Sequence, residues 1–129
     1  MIASQLNLVC ADLHASRRFY EALDVAFRPI EMPGRGVVAL LSVSDGLTLG
    51  LHTMEFAQWW DASSPGVSAG SAVLDFTVPA GQTVDDVVAR LLGCGGTVAN
   101  APEDLPFGDR YAVVTDPDGH RVGLRQPIG

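Results

Sequence analysis

Apolar and polar positions alternate with a period of two through several short runs of this chain, and two longer runs follow a helical period instead. In residues 3–11, Leu6, Leu8 and Cys10 share one face while Gln5, Asn7 and Val9 share the other, the pattern of a half-buried strand. Asp12 and His14 introduce a helix over 14–24, with Phe19, Leu23 and the stem of Tyr20 as its apolar stripe. Strands near 25–32, 37–43 and 47–53 follow, punctuated by Pro33-Gly34 and Asp45-Gly46. The second half repeats this order. A strand at 71–79 leads to a helix near 83–93 carrying Val84, Val87, Val88, Leu91 and Leu92. Gly93, Gly95 and Gly96 end that helix, and strands near 96–100, 110–115 and 120–126 complete the unit. Between the halves, residues 53–70 hold Phe56, Trp59 and Trp60 and then a run of Ala, Ser, Pro and Gly. That segment reads as a short helical turn and a linker. Two adjacent tryptophans cannot both face one core from a strand, so one or both cap a pocket or an interface.

The two halves also end alike. Asp45-Gly46 precedes Leu47-Thr48-Leu49-Gly50-Leu51, and Asp118-Gly119 precedes His120-Arg121-Val122-Gly123-Leu124. Glycine weakens a strand interior and marks close approach of a ligand or another backbone. Its recurrence at Gly50 and Gly123 predicts a pocket lined by both strands. Alternation places Leu47, Leu49 and Leu51 on the packed side, with Thr48, Gly50 and His52 opposite. Likewise Ala72, Leu74, Phe76 and Val78 pack, while Val73, Asp75 and Thr77 face away; Val122 and Leu124 pack, opposite Arg121, Gly123 and Arg125. A semi-polar face therefore recurs in four strands. Simple solvation explains a polar face on one strand, but not glycines at matched positions in both halves. A curved sheet with this face on its concave side would hold an organic ligand.

At 129 residues and 47% apolar content the chain has the size and make-up of one globular domain. The first module spans about 1–54, the linker about 55–70 and the second module about 71–129. No apolar run reaches the length of a membrane span, and no signal-peptide pattern opens the chain. The expected location is the cytoplasm. Cys10 and Cys94 fit it as free thiols, with no CxxC or Cys/His cluster to suggest a redox or metal role. Fifteen acids against eight bases, a net charge of −7, argue against a nucleic-acid partner. The same field favours encounter with cationic small molecules, although it also serves solubility alone.

With these elements in place the whole chain resembles the glyoxalase/bleomycin-resistance/extradiol-dioxygenase group, the vicinal oxygen chelate proteins. The first match is the apolar strand leading to Ala11-Asp12-Leu13, Ser16 and Phe19-Tyr20. The second is Val114-Thr115-Asp116-Pro117-Asp118-Gly119-His120-Arg121-Val122, like the family's closing turn and strand. The resemblance implies an α+β fold in which two βαβββ modules form a cupped, partly open mixed sheet, often in homodimers. Metal-dependent members carry a His, Gln or Glu on each of four pocket-lining strands. Carried over, those positions fall on Gln5, Gly50, Val73 and Gly123, of which only Gln5 can ligate. The expectation is therefore no metal and no cofactor.

Among the family, the pattern most resembles metal-free antibiotic-binding proteins, which sequester a drug unaltered. On that reading an aromatic, cationic ligand meets Gln5, Asn7, Thr48, Gly50, His52, Asp75, Arg121, Gly123 and Arg125. Trp59 or Trp60 would stack on it, with Glu55 or Asp61 at the mouth. The alternative is a lyase-, isomerase- or dioxygenase-type enzyme, metal-independent or with a non-standard site from His52, Asp75 and Gln5. Asp75 or His52 would then be the acid or base, and Arg121 and Arg125 would bind a carboxylate or enolate. Against catalysis, Asp75 can equally pair with an arginine across the sheet, and His52 can be an ordinary bonded strand-end histidine. A third class is a protein-interaction module using Trp59-Trp60. His14 and His120 read as helix-start and turn residues.

Overall fold

The computed structural model describes residues 1–129, and the chain divides into two compact units, Met1–Ser68 and Ala69–Gly129. In the first, β1 (Gln5–Cys10), α1 (Leu13–Glu21), β2 (Phe27–Met32), β3 (Gly36–Ser42) and β4 (Thr48–Thr53) are followed by α2 (Met54–Trp60). The second holds β5 (Val73–Thr77), α3 (Val84–Leu92), β6 (Thr97–Asp104), β7 (Asp109–Thr115) and β8 (Arg121–Pro127). The fold is α+β, as the resemblance implies, with three helices and two four-stranded mixed sheets. Strand order is β1-β4-β3-β2 in one unit and β5-β8-β7-β6 in the other. In each, the first and last strands pair in parallel and the rest antiparallel. No helix is long and apolar enough to cross a membrane.

Each helix starts on a side-chain cap. The Asp12 carboxylate accepts from the backbone N–H groups of His14 and Ala15 at 2.9 and 3.3 Å, and Thr83 accepts from Asp86 N at 3.1 Å. Such caps satisfy amide protons that a helix leaves unpaired. Thr83→Ala is expected to cost about 1 kcal/mol, read as a lower midpoint in urea with an unchanged slope. Helix α1 stops at Glu21, short of the predicted 24, because Asp24 takes a left-handed φ of 62°.

Most of the apolar stripes become the cores, but Leu92, the last residue of α3, is 47% exposed, and Ala72, which precedes β5, is exposed rather than packed. Ser16, Phe19 and Tyr20 of α1 are fully buried, and α1 packs on β3 and β4, where Leu40, Leu49 and Leu51 are also buried. In the second unit Val84, Val87, Val88 and Leu91 lie buried on α3 with Ala112, Val114, Val122 and Leu124 of the sheet. Leu47 departs from its predicted place on the packed side. It precedes β4, beyond the Asp45-Gly46 turn, and is 45% exposed. Strand β6 outruns its predicted end at 100 because register shifts at Val98/Asn100 and Asn100/Glu103 let it continue along β7. Both cysteines are free thiols, Cys10 buried and Cys94 half-buried.

Candidate functional site

The two strand glycines occupy equivalent places, each level with a polar residue on the parallel neighbour: Gly50 with Asn7, and Gly123 with Asp75. The room above them is not open. A Cβ on Gly50 would lie 2.5 Å from Asn7 Oδ1, 2.7 Å from His52 Nε2 and 3.2 Å from Gln5 Nε2. One on Gly123 would collide with the Asp75 carboxylate and the Tyr111 hydroxyl. The missing side chains thus admit polar neighbours that fold over the backbone, where the sequence predicted room for a ligand.

In the first unit this brings Gln5, Asn7, Gly50 and His52 together. Asn7 Oδ1 accepts from Gln5 Nε2 at 2.7 Å and lies 2.7 Å from His52 Nε2. Because the amide oxygen can only accept, the imidazole proton sits on Nε2 and the lone pair on Nδ1. His52 is only 5% exposed, and its Nδ1 is buried with no hydrogen-bond partner. Burial lowers its pKa from the ordinary 6.5, so the ring is neutral at pH 7. Helix α2, capped by Thr53 Oγ1 accepting from Phe56 N at 3.1 Å, lays aromatic rings against it. His52 stacks on Phe56 with centroids 5.7 Å apart, and Phe56 stacks on Trp59 at 5.8 Å, with planes 16° and 11° apart. Trp60 meets the imidazole edge-on at 5.3 Å. The ladder runs from a buried imidazole to an indole that is 65% exposed. Thr48 lies level with Gln5 in the register and is half-buried, with no role in the cluster.

In the second unit Asp75, Gly123 and Arg125 come together with Tyr111, which sequence reasoning missed. Tyr111 donates its hydroxyl to Asp75 Oδ1 at 2.7 Å, and Arg125 Nη1 lies 3.6 Å from Asp75 Oδ2. Arg125 also donates to Asp109. The Asp75–arginine pair weighed against catalysis is therefore present. Tyr111 is pushed up to about 12, by burial first and then by its bond to Asp75, so its hydroxyl stays a donor. Arg121, half-buried, forms no ion pair and is the uncommitted cation of this face.

Of the four positions that bear ligands in metal-dependent members, Gln5 offers one amide oxygen, while Gly50, Val73 and Gly123 offer nothing. A divalent ion held by so few protein atoms is poorly bound, and those residues do not fit one. Asp75, tied to Tyr111 and Arg125, and His52, tied to Asn7, sit in different units. Ligating atoms of Asp116, Asp118 and His120 do converge within 4.8 Å. There the Asp116 carboxylate accepts from the backbone N–H of Asp118 and His120, both at 2.9 Å, as the frame of the closing turn. Of the two candidate mouth carboxylates, Asp61 accepts from Ser63 N and Oγ. Glu55 instead lines a cavity of about 380 Å³ in the first unit.

Comparison with known proteins agrees with this architecture. A glyoxalase-related enzyme from Fulvimarina pelagi superposes with a TM-score of 0.83 at 27% identity, covering 100% of this chain and 93% of that one. Lactoylglutathione lyase from Agrobacterium tumefaciens shares the fold at a TM-score of 0.67 and 20% identity, over 97% and 92% of the two chains. An uncharacterized protein of Mycobacterium tuberculosis is 53% identical over 49 residues, 36% of this chain. That match spans only 29% of the mycobacterial protein. The family model for the Glyoxalase/Bleomycin resistance protein/Dioxygenase superfamily matches residues 2–124. With both half-motifs inside that span and the βαβββ order doubled along the chain, the chain belongs to the glyoxalase/bleomycin resistance protein/dioxygenase superfamily.

Proposed function

We propose that this protein binds an aromatic, cationic small molecule without a metal and sequesters it unaltered, as the antibiotic-binding members it resembles do. The observation that carries this reading is the ring ladder His52–Phe56–Trp59, which ends on an exposed indole. A planar guest stacking on Trp59 extends a column already built, and stacking of this kind contributes about 0.5–1.5 kcal/mol beyond area burial. The cationic preference follows from the surroundings. Asp61 caps the C-terminal end of α2 beside the indoles, the helix holds no basic residue, and the chain carries a net charge of −7. Asp75 does not supply that preference, because Tyr111 and Arg125 already engage it.

The enzymatic alternative has less behind it. Asp75 is held in its ion pair, and the lone pair of His52 is closed off beneath Phe56 and Trp60.

Titration calorimetry with proflavine, a planar aromatic cation, and with bleomycin tests the proposal. Saturable binding that is unchanged by a chelator is expected, with the ligand recovered chemically intact by mass spectrometry. Trp59→Ala should weaken binding about fivefold, equivalent to about 1 kcal/mol. Binding that needs an added divalent ion, a chemically altered ligand, or no saturable binding at all overturns the reading.

A further inference from the structure

The cavity of about 380 Å³ lies wholly within the first unit, and neither indole lines it. Its apolar lining includes Cys10, Val38, Met54 and Phe56, and two opposite charges border it, Arg35 and Glu55. These charges come from separately braced elements. Arg35 sits in the turn between β2 and β3, flanked by Gly34 and Gly36 at positive φ of 77° and 73°, and its N–H donates to Met32 O at 3.0 Å. Glu55 lies in the first turn of α2, positioned by the Thr53 cap. Neither side chain forms an ion pair or hydrogen bond, with the other or with any residue of the chain.

We infer that this cavity binds a small zwitterion with an apolar body, of the α-amino-acid type. The ligand carboxylate meets Arg35, its ammonium meets Glu55, and its side chain covers the apolar lining. The chemistry follows from the charges. A guanidinium presents a donor fork matched to a carboxylate, while a carboxylate accepts readily from an ammonium. A purely cationic guest leaves Arg35 repelling it, and a purely anionic one leaves Glu55 doing so. Only a ligand with both charges satisfies both walls and leaves the local charge unchanged. The volume lies at the lower end of the range for small-molecule pockets, which suits an amino acid or a molecule little larger. This inference does not depend on the sequestration reading, since it needs no stacking on Trp59.

The experiment is an amide chemical-shift titration of the full chain with L-phenylalanine, its amide (a cation) and its N-acetyl derivative (an anion). Proflavine is titrated in the same series. L-Phenylalanine should shift the amides of Arg35, Val38, Glu55 and Phe56 and bind at least fivefold more tightly than either blocked form. Arg35→Gln should bring the amino acid down to the affinity of its amide, and Glu55→Gln to that of its N-acetyl derivative. Both side chains are exposed, so unchanged core resonances verify the fold of each variant. Equal affinity for all three probes, shifts confined elsewhere, or preference retained in both variants overturns the inference. Binding of proflavine without the amino acid defeats this inference alone. Binding of the amino acid without proflavine supports it and defeats sequestration.

Discussion

Gly123→Val is expected to destabilise the protein by about 3 kcal/mol, the upper part of the usual cost of overpacking a filled site. For a chain of this size that is a fall of roughly 10 °C in the thermal midpoint. The reason lies in what occupies the space. A Cβ at Gly123 meets the Asp75 carboxylate and the Tyr111 ring and hydroxyl. These are ends of side chains, which ordinarily swing aside at little cost. Here they are bonded to each other, and Asp75 is further held by Arg125, which is anchored on Asp109. Moving them breaks a charge-assisted hydrogen bond and loosens the pair behind it. Gly46→Ala is the control, because nothing lies within 4 Å of a Cβ there, and it should change stability by less than about 0.5 kcal/mol. A cycle with Tyr111→Ala locates the cause. Removing the ring should cost less in the Gly123→Val background than in the native chain. A Gly123→Val protein as stable as the native one, or strictly additive effects in the cycle, would contradict this account of the glycine.

That glycine also shows how far the sequence could be read. Period-two alternation was enough to sort Asp75 from Leu74 and Gly123 from Val122: Asp75 is exposed where Leu74 is half-buried, and Gly123 faces Asp75 and Tyr111. The doubled motif was enough to place Gly50 and Gly123 in equivalent strands. What filled the space above them was hidden, because it depends on the register between strands far apart in sequence. Asn7 meets Gly50, and Asp75 meets Gly123, through parallel pairings that no local pattern encodes. Tyr111 was missed for the same reason. It lies on β7 level with Arg125 and reaches Asp75 across the intervening β8. A tyrosine on the same face as Arg125 was the available signal, legible only once the antiparallel register of β7 and β8 was known. The aromatic helix was legible as a turn, whereas its role was not. The spacing of Phe56, Trp59 and Trp60 fits a helical face, yet nothing local says that His52 begins the stack.

His52 should also make the protein lose stability as the pH falls below about 6.5. Its folded pKa lies below the ordinary 6.5, and the cause is burial alone. Below 6.5 the unfolded chain takes up a proton on this imidazole while the folded chain does not. The unfolded state then binds more protons, so the unfolding free energy falls as pH falls. The His52 contribution is fully present above 6.5 and is lost down to the folded pKa, with a slope of at most about 1.4 kcal/mol per pH unit. The hydrogen bond to Asn7 does not reverse this sign, since the neutral ring already donates that proton from Nε2. Protonation would add a second proton on Nδ1, at an atom with no acceptor and no water-facing surface. His52→Leu removes the titration while keeping an apolar side chain against Phe56 and Trp60. The difference between the two proteins' unfolding free energies should therefore fall as the pH drops below 6.5, by at most that slope. A native protein whose stability tracks that of His52→Leu in parallel across this range would show that the imidazole is not held neutral by burial. It would then lie open to solvent or to a partner, and the ring ladder would lose its closed end.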